Sequence, residues 1–306
     1  MSPVCLPDEV RAACAWVVDR ARFIRIEESK IEDYAADLAQ AVDAPPSEGR
    51  PPGDAEAAAA FAVCMNAINF GSGWWPTIRK RPGLSGYGTV AAGVEERFSV
   101  RGPWSTDELA AMDAATIAAV LAQDPKHPLM AQFAAALRDV GAHLTDDYDG
   151  RYLGVVEGAE SIPELAAVFA GWVSFADLSS YEGRDVPFFK RAQLAAADLH
   201  RGGVAPLPEV ERLTAFADNL VPQVLRIDGI LELDHALEER IEAEDLLDHG
   251  SPEEVELRAG AIHAVELLAS CDAALTPAEI DSALWTRGGG RRYKSVPRPR
   301  SRNTAY

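Results

Sequence analysis

The stretch SPEEVELRAGAIHAVELLAS, residues 251–270, indicates the fold class more clearly than any other part of the chain. Ser251 can cap the first turn of a helix, and Glu254 can bond back to it from the same turn. Pro252 stands at the first helical position, where its missing N–H does no harm. Apolar residues then recur at spacings of three and four, the period of a helical face. The stretch therefore predicts a helix over residues 252–270.

Other helix starts carry the same capping pattern, at Ser105, Ser161 and Thr276. Strand signals are scarce, and we expect at most a short hairpin near residues 85–100. The sequence thus predicts a mainly α protein with a single helical domain over residues 1–288. The predicted helices cover roughly residues 7–22, 29–42, 54–69, 106–123, 128–143, 161–175, 187–201, 208–226, 233–245, 252–270 and 277–286.

Composition and charge narrow the range of partners. The 306 residues, 48% of them hydrophobic, are enough to bury a large core. A formal charge of −19 repels phosphate backbones, so we expect no nucleic-acid polymer as partner, although local cations can still hold a small nucleotide. We see no signal peptide and no apolar run long enough to span a membrane, so we expect a cytoplasmic protein without membrane contact. The cysteines have neither metal-ligand nor disulfide-framework spacing: Cys5, Cys14, Cys64 and Cys271.

Motifs of the common cofactor and hydrolase classes are missing from the sequence. It contains no dinucleotide-binding or phosphate-binding glycine loop and no nucleophile elbow. None of its histidines forms a pair with metal-ligand spacing: His127, His143, His200, His235, His249 and His263. Kinase, dehydrogenase, metal hydrolase and serine hydrolase interpretations therefore lack support, and we expect neither metal nor cofactor.

Two segments have the composition of loops. Residues 44–54 are rich in proline, glycine and charge, which is typical of an exposed loop. Residues 289–306 are basic although the whole chain is acidic. We predict a flexible basic tail that lies on its own acidic body. The alternative is a tail that becomes ordered over a phosphate.

Two motifs in the first two thirds of the chain allow either a structural or a binding role. In residues 66–76 a predicted helix ends at Asn69, and a Gly-Ser-Gly turn with two tryptophans follows. This arrangement can cap a helix and fill the core, or it can let the backbone and flat rings approach a ligand. In residues 181–193, Lys190 and Gln193 share a helical face near a helix start, which favours an anion. The alternative there is a solvated face with ion pairs.

Two carboxylates later in the chain are further candidates. Asp218 lies in a strongly apolar stretch, where a carboxylate is costly unless it is partnered or used. Pro222 cannot donate to the carbonyl of residue 218, so the predicted helix should kink or restart there. Asp281 shares a helical face with Leu284 and Trp285 and should point inward, or else cap the surface.

Five blocks of the sequence together resemble the queuosine salvage protein family. The resemblance implies a mainly helical domain similar to the helical DNA glycosylases. The implied activity is release of queuine from queuosine 5′-phosphate by cleavage of the bond between base and ribose. The blocks follow the family's order between about residue 60 and residue 288: NAINFGSGWW, YEGRDVPFFKRAQLAAADL, LTAFADNLVPQVLRIDGIL, HGSPEEVELRAGAIHAVELL and LTPAEIDSALWTRG.

The resemblance also implies roles for individual residues. Asp218 would act as the nucleophile or stabilise the transition state, Phe216 would pack on the base, and Asp281 would contact the substrate. Lys190 would bind the 5′-phosphate or keep Asp218 ionised. Further candidates for contacts with the substrate are Asn69, Phe70, Ser72 and Gln193.

The sequence leaves two alternatives open. Asn219 and Ser282 stand where relatives commonly carry aromatic residues, and no histidine precedes His127. The protein could therefore hydrolyse another 7-deazaguanine nucleotide, or bind a deazapurine without turnover.

Overall fold

The computed structural model describes residues 5–41, 54–272 and 274–306, and in them it confirms a mainly α fold. Two antiparallel strand pairs accompany the helices: β1 Ile24–Ile26 with β4 Leu231–Leu233, and β2 Leu178–Tyr181 with β3 Arg184–Pro187. The helices are α1 Leu6–Val18, α2 Ile31–Ala41, α3 Ala55–Ala67, α4 Gly86–Arg101, α5 Thr106–Ala110, α6 Ala114–Leu121, α7 Pro128–Asp147, α8 Gly154–Glu157, α9 Ile162–Ala170, α10 Lys190–Arg201, α11 Leu220–Ile227, α12 His235–Glu242, α13 Pro252–Cys271, α14 Pro277–Gly288 and α15 Arg291–Lys294.

Helix α13 lies at the centre of the fold. It packs against α1, α2, α11 and α14, so that most of its residues from Glu254 to Leu268 are buried. The Ser251 hydroxyl accepts the N–H of Glu254, as the sequence predicted. A helix that is buried on nearly all sides can place a polar side chain in the interior, where the surrounding segments must provide its partners.

The hairpin expected near residues 85–100 is wrong, because this segment forms helix α4. The hydroxyl of Ser85 accepts the N–H of Gly88 and thereby caps the helix. The buried side chains Val90, Val94 and Phe98 repeat at a spacing of four residues, the period of a helix and not of a strand. The two strand pairs that do form, each of three or four residues, were not predicted.

The predicted helix over residues 208–226 is wrong in its first half. Residues 213–219 run outside regular structure, and α11 begins only at Leu220. Pro222 is therefore the third residue of a new helix, where no N–H is needed because the first turn has no internal acceptor. The proline marks a helix start and not a kink within one long helix.

The last residues also differ from the expected flexible tail. We refer to residues 296–306 as the C-terminal strap, because they cross the body of the protein and end with Ala305 and Tyr306 buried. Side chains of the body donate to several strap carbonyls, including those of Pro297, Pro299 and Thr304. The loop predicted over residues 44–54 lies outside the described residues except at Asp54, which caps α3.

Within the described residues, no helix is long and apolar enough to cross a membrane.

Candidate active site

Asp218 lies near the end of the irregular segment 213–219, two residues before α11 begins. Its Oδ1 accepts the N–H of Leu220 at 2.6 Å and that of Val221 at 3.2 Å. These bonds fix the carboxylate at the helix start. In the described part of the chain Oδ2 has no such bond, and the side chain is only partly buried. One oxygen is therefore used for positioning, and the other is available for a ligand.

Asp281 joins Asp218 from helix α14. Its side chain is buried, and Oδ1 accepts the backbone N–H of Phe216 at 2.9 Å. Burial, and next to it the charge of Asp218, raises the pKa of Asp281 to about 7. Phe216 is itself buried, so the structure brings these three sequence-predicted residues together. Burial and the neighbouring charge of Asp218 thus disfavour ionisation of Asp281.

Lys190 supplies the positive charge of this group. It is buried at the start of α10, and its Nζ donates to the backbone carbonyl of Asn69 at 3.2 Å. Burial lowers the pKa of Lys190 to about 8, although the charges of Asp218 and Asp281 act in the opposite direction. Lys190 therefore lies where it can keep one of these carboxylates ionised.

A buried ion pair that the sequence did not suggest holds this group in place. Arg258 of α13 donates to both carboxylate oxygens of Asp177, at 2.8 and 2.7 Å. Its Nε donates to the carbonyl of Ala217, the residue before Asp218, at 3.1 Å. Oδ2 of Asp177 accepts the backbone N–H of Lys190 at 3.1 Å. The pair thus fixes the backbone at Lys190 and at Ala217, the residue before Asp218.

Gln193, which was expected to contact the base of a substrate, forms hydrogen bonds within the protein instead. It is fully buried, and its Nε2 donates to the Thr214 hydroxyl at 2.8 Å and to the carbonyl of Phe188 at 3.1 Å. Its Oε1 accepts the backbone N–H of Thr214 at 2.9 Å. Because both ends of the amide are used, Gln193 holds the segment that leads to Phe216 and Asp218.

The three candidates for substrate contacts at the Gly-Ser-Gly turn have different surroundings. Phe70 is buried against Phe133 in the core and lies outside the group around Asp218. The side chain of Asn69 has no hydrogen bond within the described residues, and the buried hydroxyl of Ser72 has no partner there either. Gly71 has a φ of 95°, and a side chain there would collide with Leu129, so glycine is required for the turn.

The C-terminal strap closes one side of the site. Pro299, Arg300 and Tyr306 line a small cavity together with Asp218 and Asn219. The strap passes so close to the turn that a Cβ on Gly73 would lie 2.3 Å from the carbonyl oxygen of Ser301.

Arg191 anchors the end of the strap. Its guanidinium donates to the carbonyls of Thr304 and Ala305, and also to Ala67 at the end of α3 and to Ser174. Arg191 belongs to one of the blocks read in the sequence, whereas nothing in the sequence indicated that the last residues would be its partners.

The described residues contain no group of three or more histidine, cysteine or acidic side chains that could hold a metal ion. The chemistry that the side chains themselves can provide is electrostatic. A partly free carboxylate beside a lysine can stabilise or trap a carbocation, and a second carboxylate can hold a cationic group of the ligand. These features define a mainly helical protein with a carboxylate centre.

Comparison with known proteins gives the particular family. The model of the family described as queuosine salvage protein matches residues 50–306, and the chain belongs to this family. It is 30% identical to the queuosine 5′-phosphate N-glycosylase/hydrolase of Sphaerobacter thermophilus over 95% of both chains. Proteins of the same name from Bos taurus and Dictyostelium discoideum are 30% and 31% identical, over 48% and 56% of this chain and 45% and 56% of their own lengths.

Proposed function

We propose that this protein hydrolyses the N-glycosidic bond of queuosine 5′-phosphate and so releases queuine for salvage into tRNA modification. The observation that carries the proposal is the convergence of Asp218, Asp281 and Lys190 at one site in a chain of this family. The relatives' names state the same substrate and reaction. Water adds to the anomeric carbon, and the products are queuine and ribose 5-phosphate.

Asp218 acts at the sugar. Cleavage builds positive charge at the anomeric carbon, and a carboxylate fixed beside it stabilises that charge or forms a bond to the carbon. The two backbone N–H groups that hold Oδ1 keep the carboxylate in position without using Oδ2. The negative charge of Asp218 in turn favours the protonated form of Lys190.

The leaving base needs help of a different kind. A 7-deazaguanine has carbon where purines have N7, so protonation at that position cannot assist departure. The negative charge that develops on the base is instead delocalised by hydrogen bonds to its edge. Asn69 and Ser72 fit this role because their side-chain polar groups have no hydrogen-bond partners within the described residues. Phe216 packs against the base.

Asp281 recognises the amine of queuine. That amine is a cation at neutral pH, and an ionised Asp281 offers it a charge-assisted hydrogen bond. The bond from Phe216 to Asp281 favours the ionised form, because the backbone N–H donates to the carboxylate.

The substrate is a small nucleotide, and the reaction belongs in the cytoplasm. The net charge of −19 opposes association with a tRNA polymer, so the protein acts on nucleotides released from tRNA.

The test is to incubate the purified protein with queuosine 5′-phosphate and to measure free queuine by mass spectrometry. Wild type should release queuine, and Asp218→Asn should not. Asp146→Asn, an exposed carboxylate on α7, is the matched control and should behave as wild type. Equal release by wild type and Asp218→Asn would contradict the mechanism, and no release by wild type would contradict the function.

A further inference from the structure

Arg298 stands out among the cations of the C-terminal strap, because the backbone on both sides of it is held in place. Gln223 and Arg226 of α11 each donate to the carbonyl of Pro297 at 3.0 Å. Asn219, the residue after Asp218, donates to the carbonyl of Pro299 at 3.1 Å. The strap therefore carries Arg298 to a defined place beside the start of α11.

The guanidinium of Arg298 lacks the partners that other cations in this part of the chain possess. Arg300 pairs with Glu244 at 3.5 Å, and Arg292 pairs with Asp228 at 3.2 Å. Within the described residues Arg298 has neither a hydrogen bond nor an ion pair at such distances, and it is only partly buried. Burial lowers the pKa of Arg298. The charge of Asp218 acts in the opposite direction, more strongly than that of any other carboxylate.

A partly buried arginine without a partner loses some of its hydration and gains no compensating bond, and its remaining exposure leaves it open to a ligand. Asp218 does not form a bond to it, and Oδ1 of Asp218 instead accepts two N–H groups of α11. A planar guanidinium is suited to two parallel bonds with a phosphate.

We propose that Arg298 binds the 5′-phosphate of the substrate and thereby makes the enzyme select a nucleotide over the corresponding nucleoside. The inference rests on the proposed function, because the nucleotide is the substrate of that reaction. The anomeric carbon and the 5′-phosphate belong to the same ribose. A cation that lies near Asp218 but is not bonded to it is therefore in a suitable place for the phosphate.

The test compares two substrates in three variants. Arg298→Gln should lower the ratio of kcat/KM for queuosine 5′-phosphate to kcat/KM for queuosine roughly ten- to hundredfold, the usual value of a bond to a charged group. Arg298→Lys keeps the charge but loses the planar fork, so its ratio should lie between those of Arg298→Gln and wild type. Arg302→Gln removes an exposed cation of the same strap and should leave the ratio unchanged.

A second measurement does not depend on turnover. Calorimetry with ribose 5-phosphate should show binding to wild type and to Arg302→Gln, and roughly ten- to hundredfold weaker binding to Arg298→Gln. Equal loss of activity on both substrates, with unchanged binding of ribose 5-phosphate, would overturn the proposal in favour of a role in positioning Asp218. An unchanged ratio would also overturn it.

The two proposals fail in different ways. If wild type releases queuine from neither substrate, the proposed function is wrong, and the ribose 5-phosphate experiment still decides the role of Arg298. If wild type releases queuine but does not discriminate between nucleotide and nucleoside, the function stands and the role of Arg298 is wrong.

Discussion

Two groups of charged side chains lie side by side in this protein, and their charges are balanced differently. In the first, Arg258 and Asp177 satisfy one another through two short bonds. Burial would lower the pKa of Arg258, but Asp177 outweighs it, so this pKa lies above its ordinary value. The second group contains one cation, Lys190, and two carboxylates, Asp218 and Asp281. The pKa values of Asp281 and Lys190 both move towards neutrality.

The comparison separates a structural use of charge from a chemical one. The paired group keeps its protons fixed and binds two backbone positions, the carbonyl of Ala217 and the N–H of Lys190. In the second group, Asp281 and Lys190 have pKa values close to neutral pH and can exchange protons there. Complete pairing gives rigidity, and incomplete pairing gives reactivity.

The largest expected effect is on the reaction itself. Asp218→Asn should lower kcat by roughly a thousandfold, because the neutral amide no longer stabilises the positive charge of the transition state. The amide oxygen can still accept the N–H groups of Leu220 and Val221, so the free energy of unfolding should change little. Queuine release and urea denaturation measure the two quantities. A variant that keeps more than a tenth of the activity would contradict the assignment.

Breaking the paired group should mainly affect stability. Arg258→Met leaves Asp177 buried without its partner, and the free energy of unfolding should fall by about 3–5 kcal/mol. Arg25→Met removes an ion pair with Glu232 whose arginine side chain is 65% exposed, and it should cost less than about 1 kcal/mol. Urea denaturation distinguishes the two. Equal costs would show that the buried pair is not a structural anchor.

Gln193 tests whether a buried amide serves the fold or the ligand. Gln193→Leu leaves the backbone N–H of Thr214 without an acceptor, so the free energy of unfolding should fall by about 1–3 kcal/mol. Gln132→Leu, at an exposed position of α7, is the control and should cost little. If Gln193 contacted the base instead, its substitution would raise KM and leave the stability unchanged.

The dependence on pH should be the mildest effect. The substrate amine requires an ionised Asp281, with a pKa of about 7, and Asp218 requires a protonated Lys190, with a pKa of about 8. kcat/KM should therefore rise up to the first value and decline above the second, by about tenfold per pH unit at each end. Asp281→Asn should abolish the acidic limb and retain the alkaline one. A profile that is flat across both values would exclude these assignments.

Local signals were sufficient to predict the long capped helices, as the agreement between residues 252–270 and α13 shows. They failed where distant residues decide the structure. The apolar run before Asp218 has a helical composition, but it lies outside regular structure, and Gln193 and Arg258 bind its backbone. No local pattern could pair Arg258 with Asp177, because the two residues are 81 positions apart.

The residues of the candidate site likewise divide into those that the sequence indicated and those whose position only the fold decides. The family motifs brought Asp218, Phe216, Asp281 and Lys190 into view, and the structure places them together. Phe70 and Gln193 belong to the same motifs but serve the core and the backbone. The sequence did not single out Arg298, because the basic composition of the last residues suggested a solvated tail. The residues that bind the strap are known only from the folded structure.

The way the strap is attached has a consequence for how a covered site can be reached. Side chains of α10, α11 and the segment before α11 bind the strap through its carbonyls. These helices keep their own backbone hydrogen bonds whether or not the strap is in place. Detaching the strap therefore breaks these side-chain contacts and two backbone hydrogen bonds, from Gly71 to Tyr306 and from Leu247 to Arg300, but no hydrogen bond within a helix. Local openings of this kind need less free energy than global unfolding. Asp218, which lines a cavity together with residues of the strap, can then become more exposed without any helix having to unfold.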